Sequence, residues 1–140
     1  MPDSKFLRLV SRRPRILTSL RSFEVRNDIF ILVNAGDIKS IKELLPKIDV
    51  NVRDSKGNTA LHYAVSKANY EIMNMLLDQR CDVSLRNEAD GHTALHWAVV
   101  KNDVMAVRLL LERGEGADVL YCDKRGYNAI HTAAMNGHLN

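Results

Sequence analysis

At 140 residues the chain has the length of a single domain, and 46% hydrophobic with 26% charged residues is an ordinary globular composition. No run approaches the ~18 apolar residues of a membrane-spanning helix, and Cys81 and Cys122 fit neither a disulfide framework nor a metal-site spacing, which points to a reducing compartment, the cytoplasm. The net charge of +3 is unevenly spread: residues 1–26 carry +5 and the remainder −2, so the body of the chain lacks the basic face that nucleic acid demands.

Residues 1–26 read as a basic leader in which Pro14 interrupts any continuous helix. Three readings stay open for it. It is a flexible or partly helical leader, a weak contact with anionic membrane, or an organellar transit peptide, which Asp3 and Pro14 disfavour. Arg15-Ile-Leu-Thr18 also fits the pattern of a basic-directed kinase site.

The next stretch, residues 27–53, has apolar residues at helical spacing on either side of Gly36, which predicts a helix pair with an interhelical turn. Beyond it three segments align: Gly57-Asn-Thr-Ala-Leu-His-Tyr-Ala64, Gly91-His-Thr-Ala-Leu-His-Trp-Ala98 and Gly126-Tyr-Asn-Ala-Ile-His-Thr-Ala133. Their histidines at 62, 96 and 131 set a period of 34 and then 35 residues. Thr59 and Thr93 stand where a helix N-cap is needed. Leu61, Ala64 and Val65 then make one apolar stripe, and Ile72, Met75, Leu76 and Leu77 a second. Helices this short are marginal alone and need a neighbour to bury their faces. Gly57, Gly91 and Gly126 mark turns, while Ala68 and Asn102 occupy the interhelical place that Gly36 and Gly137 fill. Alanine tolerates the left-handed conformation poorly, so strain is expected at Ala68.

This pattern resembles the ankyrin repeat, whose signature is Thr-Pro-Leu-His-x-Ala at a period near 33. The resemblance implies an all-α solenoid of stacked helix-turn-helix units with hairpin-like connecting turns. It divides the chain into a capping unit (27–53), repeats 54–87 and 88–122, and a truncated repeat 123–140, which suggests a piece of a longer array. Thr59, His62, Thr93, His96 and His131 then become structural residues that tie each turn to neighbouring backbone, with Asn128 in the threonine place of the fourth unit. The histidines lie one repeat apart, too far to share a metal ion at the ~2.0–2.1 Å that zinc needs. His92 and His138 have no partner visible in the sequence. No Ser-His-Asp, HExxH, P-loop or GxGxxG arrangement occurs, so the chain reads as non-enzymatic, with no cofactor and no metal.

The resemblance further implies a concave surface built from turn tips and the outward positions of each first helix, binding a partner peptide or domain. Carried over by position, the candidates are Lys56, Asn58, Ser66, Lys67, His92, Val100, Lys101, Arg125, Tyr127 and Met135, with Trp97 either packed in the core or facing the groove as an anchor. The mixture of bases with apolar residues suits an extended peptide of partly acidic character bound by a monomer. Asp90-Gly-His-Thr-Ala-Leu-His-Trp-Ala98 and the extra turn residue before it look like the ankyrin array of the DHHC-type palmitoyltransferases. There such an array recruits substrates to a membrane-bound enzyme whose catalytic motif lies outside this chain.

Overall fold

Seven α-helices and no strand make up the described residues of the computed structural model, which are 22–115, 117 and 119–137, with side chains from residue 28 onward. They are α1 (Ser22–Ala35), α2 (Ile38–Leu44), α3 (Ala60–Ser66), α4 (Tyr70–Asp78), α5 (Ala94–Val100), α6 (Val104–Arg113) and α7 (Ala129–Met135), with a 3-10 turn at Leu45–Lys47 after α2. The readings made for residues 1–21 and for His138 lie outside the described residues, and α1 begins at Ser22, within the stretch assigned to the leader.

Each helix is too short to persist alone, so packing between units supplies the stability. The first helices form one layer, α3 lying between α1 and α5 and α5 between α3 and α7. The second helices form the other, α4 lying between α2 and α6. The chain is an all-α solenoid. Its core runs through the units as a band: Ile29, Leu32, Val33 and Ile41 in the first, Leu61, Val65, Ile72, Met73 and Leu76 in the second, Leu95, Ala98, Ala106 and Leu110 in the third. Burying each large aliphatic side chain contributes roughly 1.5–3 kcal/mol. Ala60, Ala94 and Ala129 are buried too, and their small volume lets adjacent first helices approach closely.

One joint closes every helix pair. In the second unit the Ala68 N–H donates to Val65 O and the Asn69 N–H to Ala64 O, both at 3.0 Å. This is the double bond of a Schellman motif, and it requires the residue after the cap to be left-handed. Gly36, Ala68, Asn102 and Gly137 supply that conformation at φ +73°, +52°, +55° and +72°. The residue that follows caps the next helix at once: Asp37 accepts from Ser40 N, Asn69 from Ile72 N, and Asp103 from Ala106 N. Two consecutive residues thus end one helix and begin the next.

Burial thins towards the last described unit. Leu61 and Leu95 are buried, but Ile130 in the same position is 57% exposed, and Leu111 is 45% exposed where Leu77 is 6%. Among the described residues nothing packs on that last face.

Candidate partner-binding face

The second, third and fourth units each open with a tight turn organised by an Asx side chain. Asp54 Oδ1 accepts the N–H groups of Lys56 and Asn58 at 2.9 Å, and Asp123 Oδ1 those of Arg125 and Tyr127 at 2.9 Å. In the third unit the extra residue widens the turn, and Asn87 Oδ1 reaches His92 N at 3.0 Å. The turns stack by one backbone bond per junction, Glu88 N–H to Lys56 O and Lys124 N–H to Asp90 O, each 2.9 Å. Gly57 and Gly91 allow this approach. Besides needing φ of +77° and +73°, a Cβ on them would lie 2.9 Å from Glu88 N and Lys124 N respectively.

Behind the turns, threonine and histidine form a reciprocal cap. Thr59 Oγ1 accepts the His62 N–H while His62 Nδ1 accepts the Thr59 N–H at 3.1 Å, and Thr93 with His96 repeats the pair. Asn128 performs the same exchange with His131, so the tie holds in the fourth unit despite the changed residue. An acceptor Nδ1 assigns the proton to Nε2. That proton goes to the next unit: His62 Nε2 donates to His92 O at 2.9 Å and His96 Nε2 to Tyr127 O at 3.1 Å. Burial, the largest influence, holds both imidazoles below their ordinary range against the opposing pull of these carbonyls. His131 is exposed, and its Nε2 has no partner among the described residues.

Trp97 is half-buried. Its ring packs edge-to-face on His62 (5.0 Å, 72°) and on Tyr63 (6.4 Å, 89°) of the preceding unit, yet it stays half-buried on the first-helix layer. Tyr63 is held by its hydroxyl donating to Asp54 Oδ2. Burial and that hydrogen bond push its phenol above the usual range. On the first helices, Val100 and Met135 are 44% and 62% exposed, as is Ile31 at 49% in the position equivalent to Tyr63, a residue the motif comparison missed because the first unit lacks the motif. Lys56, Lys67, Lys101 and Arg125 are exposed, Ser66 and Tyr127 half-buried. Lys101 Nζ donates to Ser66 O and the Arg125 guanidinium lies over the Tyr127 ring at 5.1 Å, so these two bases are partly committed within the fold.

Two candidates are corrected. Asn58 and His92 are buried, because the residue after the turn glycine folds beneath the turn once the following unit stacks on it. His92 also has partners the sequence did not reveal, Asp90 and Asp123. The anchoring side chains Asp54, Asn87 and Asp123 and the caps Asp37, Asn69 and Asp103 were missed as well. Their signal was present: an Asx three or four residues before each turn glycine, and an Asx directly after Gly36, Ala68 and Asn102. Cys81 is buried and its thiol is pushed up to about 11 by that burial, the behaviour of a packing residue, whereas Cys122 is exposed. No cluster of three or more metal-ligating side chains, and no helix long and apolar enough to cross a membrane, occurs among the described residues.

Two family models cover this architecture, one for ankyrin repeats in three copies at residues 80–140 and one for ankyrin repeats in many copies at residues 44–98. The chain belongs to the ankyrin repeat family. Ankyrin repeats are protein-interaction modules, and that is the function of this array. Among similar proteins, Palmitoyltransferase akr1 of Neurospora crassa is 38% identical over 118 residues, 83% of this chain and 16% of that protein. Ankyrin repeat protein FPV034 of fowlpox virus is 36% identical over 53% of the chain and 19% of its own length. Serine/threonine-protein kinase 12 of Arabidopsis thaliana is 41% identical over 39% of the chain and 12% of its own length. The chain therefore spans less than a fifth of the length of each of these three relatives.

Proposed function

We propose that the ankyrin array holds an extended, partly acidic protein segment along the face made by its turns and first helices. The observation that carries this is that the first helices leave the apolar side chains Ile31, Val100 and Met135 exposed and Trp97 half-buried, with Lys56 and Lys67 exposed as well. Aromatic anchors dominate interface energy, and bases at a rim set the sign of the partner and its rate of arrival. The test is selection from a displayed peptide library with the wild-type array and with Trp97→Ala combined with Lys67→Glu. Peptides carrying apolar and acidic residues should be enriched by the wild type and lost by the variant while its helical circular dichroism is retained. Enrichment unchanged by the two substitutions would refute the groove.

A second reading rests on the match to akr1, which covers most of this chain: the array recruits substrates for a membrane-bound palmitoyltransferase whose chemistry lies outside it. Extending the coding sequence downstream decides this, since membrane helices and a cysteine-rich Asp-His-His-Cys loop must follow. The array itself then acts as a monomeric, non-catalytic unit at the cytoplasmic side of a membrane. The basic leader would add a weak contact with anionic lipid, measurable by co-flotation with phosphatidylserine vesicles.

A further inference from the structure

We propose that Asn136–Gly137 is a self-modification site, where the chain deamidates to aspartate and isoaspartate and so unlocks the joint that ends α7. The sequence contains one Asn-Gly step, and it falls here. Both residues are exposed, and Asn136 is the C-cap of α7. The nucleophile is the Gly137 backbone nitrogen, which glycine leaves unshielded because it carries no Cβ. A Cβ there, at φ +72°, would meet nothing within 4 Å, so no neighbouring residue covers the position either.

Other positions lack this combination. Asn58, Asn87 and Asn128 are buried. Asn69 and Asn102, at the two middle joints, are followed by Tyr70 and Asp103, whose side chains crowd the attacking nitrogen. One aspartate also stands before a glycine, Asp90 before Gly91. An ionised carboxylate is a poor acyl electrophile, and that turn is pinned. The Lys124 N–H donates to Asp90 O at 2.9 Å, and a Cβ on Gly91 would lie 2.9 Å from Lys124 N.

The reaction consumes water and needs no other reagent. The Gly137 nitrogen gives its proton to solvent and attacks Asn136 Cγ. The Cγ–Nδ2 bond breaks, and the amide nitrogen leaves as ammonia after taking a proton from solvent. A five-membered succinimide remains. Water then adds to one of its two carbonyl carbons. Opening at the side-chain carbonyl gives aspartate. Opening at the main-chain carbonyl gives isoaspartate, in which the backbone runs through the former side chain.

The joint itself is the gate. While it is closed, Asn136 Nδ2 donates to Thr132 O at 2.8 Å and the Gly137 N–H donates to Ala134 O at 3.2 Å. Asn136 sits at ψ 2°, and ring closure requires rotation about that bond to bring the Gly137 nitrogen to Cγ. Both hydrogen bonds must break first, so the rate follows the population of the locally open joint. Opening costs little apolar burial, because Ala129 and Thr132 are the only buried residues of α7. The product then prevents reclosure. A carboxylate at 136 has no proton for Thr132 O, and its charge opposes the dipole at the end of α7. Isoaspartate adds a main-chain atom between the Asn136 N–H, which donates to Thr132 O at 3.1 Å, and the Gly137 N–H. A weaker hold on acidic partners beside Met135 rests on the groove proposed above; the chemistry does not.

The test uses the whole chain without any partner, kept in mildly alkaline buffer beside a urea-unfolded portion and sampled over weeks. Peptide mass analysis follows the mass gain of an NH2-to-OH exchange at each asparagine, and an isoaspartyl methyltransferase counts isoaspartate. Asn136 should convert before every other described asparagine. The folded chain should convert more slowly than the unfolded one by roughly ten- to a hundred-fold, the worth of the two hydrogen bonds that hold the joint. Asn136→Gln, which closes a six-membered ring far more slowly, should abolish the conversion. In the converted fraction, separated by ion exchange, amide protection at residues 136 and 137 should be lost while α3 to α6 keep theirs. No conversion in the folded chain once the unfolded portion is complete, equal rates in the two, or an earlier conversion elsewhere would overturn the site. Unchanged protection after conversion would overturn the unlocking. Conversion and unlocking as expected, with peptide selection unaltered, would overturn only the link to the groove.

Discussion

Ala68→Gly should stabilise the array, an uncommon outcome for a helix-terminal substitution to glycine. Ala68 closes the second interhelical joint at φ +52°, where its Cβ crowds the carbonyl that follows. That conformation costs an L-residue roughly 1–2 kcal/mol. Glycine relieves it but gives the unfolded chain extra freedom worth about 0.4–1 kcal/mol. The difference leaves about 0.5–1 kcal/mol in favour of the variant. Ala68 is exposed, so no packing is lost with its methyl group. The Schellman bonds to Val65 O and Ala64 O are backbone bonds and survive. For a domain of this size the gain amounts to a rise of roughly 2–5 °C in Tm, read by circular dichroism or calorimetry. Asn102→Gly is the internal control, because asparagine already tolerates φ +55° and has less strain to release. If Ala68→Gly lowers Tm, or if Asn102→Gly gains as much, strain at this joint is not what limits the second unit.

The inter-unit histidines should differ sharply in worth. His62→Ala, which removes the bond to His92 O and the Nδ1 acceptor of the Thr59 N–H while the backbone N–H at 62 keeps Thr59 Oγ1, should cost about 2–4 kcal/mol in urea unfolding, against about 1 kcal/mol for His131→Ala, which loses only the acceptor of the Asn128 N–H. Equal losses would mean that the carbonyl bond contributes nothing. Because burial depresses His62 and His96, the unfolded chain takes up protons near pH 6.5 that the folded chain refuses. Their contribution is therefore complete above that pH and is lost as the pH falls below it. Tm should drop between pH 7 and 5; a Tm that rises on acidification would contradict the assignment. Finally, Leu95→Asn should unfold the third unit or cost over about 3 kcal/mol, while Ile130→Asn, at 57% exposure, should cost under about 1 kcal/mol. A large loss at Ile130 would reveal a second copy covering that face in solution, which sedimentation would then detect.

Much of the face could be read without coordinates. The period of the Thr-x-x-His segments located the first helices, and counting forward placed Lys67, Val100, Lys101 and Met135 where the backbone puts them. Lys101 and Arg125 were legible as exposed bases, but not as bases already engaged with Ser66 O and the Tyr127 ring. Those partners come from side chains bending across a unit boundary, which no spacing rule encodes.

What the amino-acid order determined by itself is local. Thr59, Thr93 and Asn128 cap helices, Gly57 and Gly91 turn the chain, and the apolar stripes demand neighbours, so stacked helix pairs follow from the pattern alone. What only the tertiary structure decided depends on the next unit. Asn58, His92 and Tyr127 occupy one place in the repeat, yet the first two are buried and Tyr127 is half-open. His92 meets Asp123 at a separation of 31 residues. Trp97 is covered on one side because Tyr63 and His62 precede it and open on the other. Burial and pairing in a solenoid are set at the boundary between units, and a residue's own repeat does not contain that information.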